Sequence, residues 1–347
     1  MRQIRVLVVD DSPTMRAMVR AGLHRDGGIA VVGEAGDPYE AREAVKALSP
    51  DVITLDVNMP RMDGLEFLDR LMRLRPTPVI MLSSEVAAGA GAAIEALAAG
   101  AFDCVAKPVA GRIDSVFAEL ALKVRAAAQA PRGLIGARPR HDPPAADFNP
   151  NGRIVAIGAS TGGVDALMSV LSAFPAMCPP TVVVQHMPAS FTKGFAQRLN
   201  QHCAAEVVEA SNGMPLEPGR ILIAPGGPAH LELRGRRRPV CLLSPGELQS
   251  GHRPSVDALF SSVAPLGERA VGVILTGMGR DGAAGLLRMR AAGAVTIGQN
   301  ERTSLVYGMP RAAAEIGAVG QQLDLSAIPA AILAACSAEA SRVDLAG

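Results

Sequence analysis

Short apolar segments alternate with stretches of helical periodicity in the first 125 residues, and this alternation limits the possible folds more than any other feature. The apolar segments are strand-like and occupy residues 4–9, 30–34, 52–55, 79–82 and 102–106. Between them, apolar residues recur with the period of an α-helix. Strands that alternate with helices form a parallel sheet covered by helices on both faces. The pattern therefore predicts an α/β domain with a doubly wound, mostly parallel sheet at residues 1–125.

Polar residues stand at the carboxyl ends of these predicted strands, where ligands bind in a doubly wound sheet. They are Asp10, Asp11, Asp56, Ser83 and Lys107. A single aspartate at a strand end is most commonly the N-cap of the next helix, but five polar residues at the ends of these strands favour a functional site. Crowded carboxylates repel one another unless a hard cation with oxygen ligands, such as Mg²⁺, neutralises them. The sequence therefore predicts an Mg²⁺ site formed by Asp10, Asp11 and Asp56.

Asp56 is predicted to be a phosphoryl acceptor at this site. Mg²⁺ would neutralise the incoming phosphoryl oxygens, Lys107 would pair with the same charge, and the Ser83 hydroxyl would bond the attached group. These residues resemble the response-regulator receiver family over positions 1–125. The motifs that carry the resemblance are Asp10-Asp11-Ser12, Asp56 with Met59-Pro60, Asp63-Gly64 and Lys107-Pro108.

The resemblance implies a flavodoxin-like receiver domain that a chemotaxis histidine kinase phosphorylates on Asp56. Receivers often place a switching aromatic residue three positions before the lysine, and this chain has Cys104 there. Signal transfer is therefore expected to use another packing change near Cys104. After the receiver, residues 126–152 are rich in Ala, Pro and Arg and have almost no apolar periodicity, which predicts a surface linker before a second domain at 153–347.

A glycine-rich turn opens the second domain. An apolar run at 154–157 leads into Gly158-Ala159-Ser160-Thr161-Gly162-Gly163, and helical periodicity starts at Val164. The spacing Gly158-x-Ser160-x-Gly162 fits a nucleophile elbow, whereas the dinucleotide fingerprint and the phosphate-loop lysine are missing. A structural turn or an anion-binding loop explains the motif alone equally well, so the interpretation depends on a base and an acid elsewhere.

A histidine and an aspartate follow two further apolar runs in the way that Ser160 follows the first. His186 comes after the run at 181–184, and Asp281 comes after the run at 271–275. The carboxyl ends of parallel strands share one edge of a sheet, so these side chains can converge. Ser160 would then attack a carbonyl, His186 would transfer the proton, and Asp281 would orient the imidazole.

The remaining candidates lie around this triad. Helix N-terminal N–H groups near Thr161 or Met278 are candidates for holding an oxyanion. His252 stands in a loop before a helix and is either a reserve base or a substrate contact. The arginine-rich run at 234–238 is predicted to be a solvated hairpin tip, with the steering of an acidic partner as an alternative.

The second domain resembles the catalytic domain of CheB-type chemotaxis-receptor protein-glutamate methylesterases, which has a Rossmann-like α/β fold. The motifs that carry this resemblance are Gly158-Ala159-Ser160-Thr161-Gly162-Gly163, Gln185-His186-Met187, His252-Arg253-Pro254-Ser255-Val256-Asp257, Thr276-Gly277-Met278-Gly279-x-Asp281-Gly282 and Tyr307-Gly308-Met309-Pro310. The resemblance implies the triad Ser160, His186 and Asp281, with Thr161 and Met278 near the reacting carbonyl. It also implies methyl-accepting chemoreceptors as substrates, deamidation of receptor glutamines, and ester hydrolysis without a cofactor.

Composition limits the alternatives. A net charge of +1 and an aromatic content of 3% argue against a dedicated nucleic-acid binder. The five cysteines are scattered without metal-ligand spacing, which indicates a reducing cytoplasm, and no apolar run predicts export or membrane insertion. One rival is a receiver fused to a non-catalytic nucleotide-binding or scaffolding domain. A second rival is a transcriptional regulator, although no helix-turn-helix pattern follows the linker.

Overall fold

The computed structural model describes residues 2–57, 59, 64–83, 87–108, 113–136 and 148–338 of the 347-residue chain. Two residues of the receiver motifs, Pro60 and Asp63, and most of the proline-rich part of the predicted linker, at 137–147, lie outside these ranges. In the described part of the chain, no helix is both long and apolar enough to cross a membrane.

The first domain is a five-stranded parallel sheet with helices between successive strands. Its elements are β1 (Ile4–Val9), α1 (Pro13–His24), β2 (Ile29–Ala35), α2 (Pro38–Leu48), β3 (Val52–Asp56), α3 (Gly64–Leu74), β4 (Val79–Ser83), α4 (Ala87–Ala98), β5 (Asp103–Ala106) and α5 (Ile113–Gln129). The strand order is β2-β1-β3-β4-β5. The predicted doubly wound fold is confirmed, and Asp56 and Ser83 prove to be the last residues of their strands.

The start of the predicted linker belongs to the last helix of the first domain. α5 runs to Gln129, and Ala127 in its last turns is 1% exposed because it packs against the receiver core. A short 3-10 turn at Arg132–Leu134 follows, and Ile135 after it is 7% exposed. The alanine-rich sequence at the start of the predicted linker therefore continues the helix. The predicted end of the receiver, residue 125, lies inside α5.

The second domain is built on a seven-stranded parallel sheet. Its elements are β6 (Ile154–Ala159), α6 (Gly163–Ser172), β7 (Thr181–Gln185), α7 (Ala189–His202), β8 (Glu206–Glu209), β9 (Arg220–Ile223), β10 (Ala229–Arg234), β11 (Val240–Pro245), α8 (Val256–Val263), β12 (Ala270–Ile274), α9 (Ala283–Ala291), β13 (Val295–Gln299), α10 (Met309–Glu315), β14 (Gln321–Leu323) and α11 (Ile328–Cys336). The sheet order is β14-β13-β12-β6-β7-β9-β8. β10 and β11 form a separate antiparallel hairpin, so the arginine-rich run lies at its turn, as predicted.

The strand order places β6 at the point where the chain changes direction across the sheet. β6 pairs with β7, which follows it in sequence, on one side and with β12 on the other. Ligands of open α/β sheets bind outside the carboxyl ends of the strands at such a switch point. The fold therefore opens a crevice at the carboxyl ends of β6, β7 and β12.

The two domains pack against each other through apolar surface. α4 of the first domain lies against α7 of the second, and Ile94 comes so close that a Cβ on Gly194 would lie 2.8 Å from its Cδ1 atom. Leu305 and Val306 of the second domain pack against the core of the first. One hydrophobic cluster runs through both domains, and Cys104, which is 3% exposed, belongs to it.

Candidate active site

The turn after β6 presents Ser160 in the crevice. The Ser160 N–H donates to the Thr276 carbonyl at 3.0 Å, and the Gly163 N–H closes the turn on the Ser160 carbonyl at 2.7 Å. Gly162 adopts the left-handed region, with φ at 75°, as the N-cap of α6. Gly277 lies opposite, where a Cβ would stand 2.8 Å from the Ser160 Cβ. Glycine at 162 and 277 therefore allows the chain to bring Ser160 to the strand edge, where it is 9% exposed.

Ser160 does not form the strained nucleophile elbow that the spacing Gly158-x-Ser160-x-Gly162 indicates. The described non-glycine residues with positive φ are Ser49 and Ser250, so Ser160 keeps an ordinary backbone conformation. The glycine of the motif therefore takes the unusual backbone conformation of the turn. The positive φ falls on Gly162 two residues later, because this turn bends the chain at the helix N-cap and not at the serine itself.

β7 brings His186 to the same edge. Ala159 pairs with Gln185 across the two strands, and the His186 N–H donates to the Ala159 carbonyl at 3.1 Å. The His186 Nε2 atom lies 2.9 Å from Asp281 Oδ2, and the two side chains are 7% and 1% exposed. The Nδ1 atom of His186 is buried and has no hydrogen-bond partner among the described residues. One ring nitrogen is therefore held by the carboxylate and the other is left for a proton transfer.

Asp281 is held by several donors besides the histidine. Its carboxylate accepts hydrogen bonds from the Ser255 hydroxyl and from the N–H groups of Val256 and Asp257 at the start of α8. Burial acts to raise the pKa of Asp281, but the hydrogen bond and charge of His186, with these other donors, outweigh it and lower the pKa to about 2. The carboxylate is therefore ionised at neutral pH and can stabilise a positive imidazole.

His252 stacks on the ring of His186. The two ring centroids are 3.7 Å apart, and the planes are inclined by 10°. Burial, followed by the charge of His186, lowers the pKa of His252 to about 4. The structure therefore brings His252 to the site, as a neutral ring against the face of His186.

Thr161 and Met278 flank the serine. In the part of the chain that the structure describes, the N–H groups of both residues donate to no protein acceptor. Met278 follows Gly277, which touches Ser160, and is half-buried. The hydroxyl of Thr161, in contrast, donates to Asp103 Oδ2 of the first domain at 2.6 Å. The N–H groups of Thr161 and Met278 are therefore available to an oxyanion beside Ser160. The Thr161 hydroxyl is instead hydrogen-bonded to the receiver residue Asp103.

Asp103 is fixed in this position by α5. Lys123 Nζ lies 3.1 Å from Asp103 Oδ1 and 2.8 Å from Glu119 Oε1. Burial works against the charge of Lys123, but the charges of Asp103 and Glu119 outweigh it and raise its pKa. The lysine therefore stays charged and holds Asp103 where it meets Thr161.

The predicted phosphorylation residues converge at the carboxyl edge of the receiver sheet. Ligand oxygens of Asp10, Asp11 and Asp56 all lie within 4.8 Å of one another. Lys107 Nζ lies 2.9 Å from both Asp10 Oδ2 and Asp56 Oδ2. Burial acts to lower the pKa of Lys107, but hydrogen bonds to Asp56 and Asp10 outweigh it and raise the pKa. Ser83 is buried at the end of β4, where its carbonyl accepts from the Lys107 N–H at 2.8 Å.

Three residues of the site were given no role from the sequence: Asp103, Ser255 and His230. Ser255 carries a readable signal, since a serine between a proline and an apolar helix is a typical N-cap. His230, whose ring accepts from the Ser255 N–H, follows no motif. Asp103 carries no signal either, because its partner Thr161 lies 58 positions away in another domain.

Comparisons with known proteins agree with this architecture. Residues 155–332 match the family described as CheB methylesterase, and residues 6–114 match the response regulator receiver domain. The chain is 58% identical to "Protein-glutamate methylesterase/protein-glutamine glutaminase 1" of Rhizobium johnstonii, over 95% of both chains. It is 56% identical to the protein of the same name from Caulobacter vibrioides, over 97% of this chain and 99% of that one.

A solved structure supports the fold of the second domain. The Thermotoga maritima CheB methylesterase catalytic domain is similar with a TM-score of 0.51 and 35% identity, and the match covers 53% of this chain and 98% of that one. None of these matches favours a receiver fused to a non-catalytic nucleotide-binding or scaffolding domain.

Proposed function

The chain belongs to the CheB methylesterase family, and from this membership we propose that it hydrolyses the γ-methyl esters of glutamate residues on chemoreceptors under the control of its receiver domain. The same acyl-transfer chemistry would deamidate receptor glutamines. The observation that supports this proposal best is the pair formed by His186 and Asp281: His186 Nδ1 is buried without a partner among the described residues, and the His186 N–H bonds the carbonyl of Ala159, the residue before Ser160.

The proposed reaction uses Ser160 as the nucleophile. Its Oγ attacks the ester carbonyl carbon while His186 accepts the hydroxyl proton on Nδ1, since Nε2 is bonded to Asp281. The tetrahedral oxyanion would lie on the N–H groups of Thr161 and Met278. When the carbon–oxygen bond to the methoxy group breaks, His186 returns the proton and methanol leaves.

A water molecule completes the cycle. His186 takes a proton from the water as its oxygen attacks the acyl-enzyme carbonyl, and the proton then passes to Ser160 as the acyl–oxygen bond breaks. The products are the glutamate carboxylate and the free enzyme. Asp281, with its low pKa of about 2, stabilises the positive imidazole in both steps. This sequence needs no cofactor.

The receiver would use Mg²⁺ for phosphorylation. Three carboxylates with ligand atoms within 4.8 Å of one another suit a hard cation that prefers oxygen ligands, so Asp10, Asp11 and Asp56 would hold it. The bound cation would neutralise charge on the incoming phosphoryl group. Asp56 is the proposed acceptor, Lys107 and Ser83 are the proposed switch residues, and a chemotaxis histidine kinase is the proposed phosphodonor.

Methanol release from methylated receptor membranes tests the esterase proposal. Ser160→Ala and His186→Ala should each lower the rate at least about 10³-fold without loss of folding, because triad members act as a unit. His202→Ala is the matched control, since His202 lies at the exposed end of α7 and its ring bonds the Arg198 carbonyl of the same helix. Folded Ser160 and His186 variants that release methanol as fast as the control would show that the triad is wrong.

A further inference from the structure

We infer that Ser255 is a positioning residue of the esterase site, and that its hydroxyl holds Asp281 in the orientation that His186 needs. The inference rests on the proposed triad of Ser160, His186 and Asp281. Ser255 itself is the N-cap of α8 and is fully buried, so it does not reach the substrate.

Four donors surround the Asp281 carboxylate and fix it in one plane. The Ser255 hydroxyl and the Asp257 N–H donate to Oδ1 at 2.8 and 3.0 Å. The Val256 N–H and His186 Nε2 lie 2.7 and 2.9 Å from Oδ2. Three of the four donors therefore come from the first residues of α8, and the helix N-terminus adds its favourable dipole.

The chemistry of Ser255 exceeds what a helix cap requires. Its Oγ accepts from the Ala258 N–H at 3.3 Å, which is the ordinary role of an N-cap side chain. The same oxygen also donates its proton to Asp281, which a capping aspartate cannot do because it has no hydrogen to give. An aspartate here would place a second carboxylate against the first. The contact with Asp281 therefore requires a side chain that donates as well as accepts, and the Ser255 hydroxyl does both.

His230 fixes the backbone of Ser255. The Ser255 N–H donates to His230 Nδ1 at 3.1 Å, so this nitrogen carries no proton. The other nitrogen, Nε2, then carries the proton and donates to the Glu247 carbonyl at 2.8 Å. His230 is 2% exposed, so solvent offers it no other partners. His230, in a defined tautomer, therefore holds the backbone of Ser255. The Ser255 hydroxyl in turn holds Asp281, and Asp281 holds the His186 ring.

Loss of the hydroxyl should change both the orientation and the charge of Asp281. A carboxylate with one donor fewer rotates more freely and attracts the proton of His186 more strongly. Asp281 and the stacked His252 are the titratable groups that contact His186 among the described residues. Asp257 interacts with Asp281, and the positive charge of Lys123 from the receiver helps to lower the pKa of His252. Removal of the Ser255 hydroxyl takes one donor from Asp281 and one acceptor from the Ala258 N–H, so the glycine and threonine variants are needed to separate the effect on the carboxylate from the effect on the helix cap.

The test compares Ser255→Ala, Ser255→Gly and Ser255→Thr in the full-length protein by methanol release against pH. Ala and Gly should lower kcat roughly ten- to hundred-fold with KM unchanged, which corresponds to one lost hydrogen bond to a charged group. They should also move the acid limb of the kcat/KM profile to higher pH. Thr keeps the hydroxyl and should restore most of kcat. Gly guards against a folding defect, because glycine is well tolerated at an N-cap.

Ser262→Ala is the matched control. Ser262 lies on the same helix, and its Oγ accepts from the Leu233 N–H at 2.9 Å, so the variant also loses a hydrogen bond without touching Asp281. Its kcat and pH profile should equal those of the unmodified protein. Unchanged kcat and an unmoved acid limb in Ser255→Gly overturn the inference, and so does a loss that Ser262→Ala shares. If Ser160→Ala retains methanol release, the triad itself is wrong and the role of Ser255 falls with it.

Discussion

Two acids of the second domain, Asp281 and Asp165, have pKa values shifted in opposite directions from the usual value. Asp281 has four hydrogen-bond donors, which keep it charged. Asp165, in the first turn of α6, has no such set of donors, and desolvation raises its pKa to about 7, with the charge of Arg198 opposing the shift. Hydrogen-bond donors therefore keep the more deeply buried acid, Asp281, ionised, whereas desolvation without them raises the pKa of Asp165.

Asp165→Asn should stabilise the protein in a pH-dependent way. The folded pKa of about 7 exceeds the usual 3.8, so the contribution of Asp165 to stability is fully present below pH 4 and is lost as the pH rises through 7. Asn removes the charge and should add on the order of 1–2 kcal/mol at pH 8 after allowance for solvent screening, and less at pH 5.

Thermal unfolding at pH 5 and pH 8 checks this expectation. Asp114→Asn is the control, because the Asp114 side chain is 83% exposed and pairs with Arg25 at the surface. The control should leave the pH dependence unchanged. An Asp165→Asn protein that melts at the same temperature as the unmodified one at pH 8 would contradict the expectation.

The position of a side chain can be predicted from the sequence where the sheet alone decides it. Ser160, His186 and Asp281 were predicted to lie near one another because the carboxyl ends of parallel strands share one edge of the sheet. His230 and Asp103 could not be predicted, because their roles depend on contacts with Ser255 and Thr161 that no period or spacing encodes.

At the scale of elements, the apolar segments predicted the strands of the receiver and the carboxyl ends at which its polar site residues lie. The first predicted strand coincides with β1, and the other four differ from the structure by one residue at one or both ends, which moves Asp56 and Ser83 into β3 and β4. The end of α5 was harder to place. Alanine is common both in helices and in linkers, so the composition alone does not separate the two. The burial of Ala127 and Ile135 shows that this segment packs against the receiver and is not a solvated linker.

The receiver edge gives a prediction at this scale. Asp11→Ala should weaken Mg²⁺ binding at least about tenfold and slow phosphorylation of Asp56, since it removes one of three carboxylates from the cluster. Incorporation of phosphate from acetyl phosphate, titrated with Mg²⁺, measures both effects. Asp26→Ala is the control, because Asp26 pairs with Arg125 away from the cluster. Equal Mg²⁺ dependence in both variants would show that the cation binds elsewhere.

At the scale of the whole molecule, the receiver lies over the esterase crevice. Asp103 holds the Thr161 hydroxyl at 2.6 Å, and α4 packs against α7 beside it. A tethered partner has an effective concentration of about millimolar, so even a weak interface stays closed. Receptor helices are too bulky to reach Ser160 past a receiver in this position. We therefore expect the unphosphorylated protein to be held in a less active state.

β5 offers a physical connection between phosphorylation and this interface. Lys107, which follows β5, pairs with Asp56, and Asp103 is the first residue of the same strand. Cys104 beside it is buried in the cluster that runs through both domains. A phosphoryl group on Asp56 adds negative charge that draws Lys107 and repacks the strand. We therefore expect the signal to pass through a shift of β5 and not through the rotation of an aromatic residue.

Asp103→Ala in the full-length protein tests this control directly. The variant removes the acceptor of the Thr161 hydroxyl without altering Ser160, His186 or Asp281, so unphosphorylated methanol release should rise several-fold. It should approach the rate of a fragment that lacks residues 1 to about 145, and phosphodonor with Mg²⁺ should add little more. Asp56→Asn should stay slow under all conditions. Asp114→Ala, an exposed receiver acid that pairs with Arg25, should behave as the unmodified protein. If neither Asp103→Ala nor the fragment is faster than unphosphorylated full-length protein, the receiver does not inhibit by covering the crevice, and its role is instead to bring the esterase to its receptors.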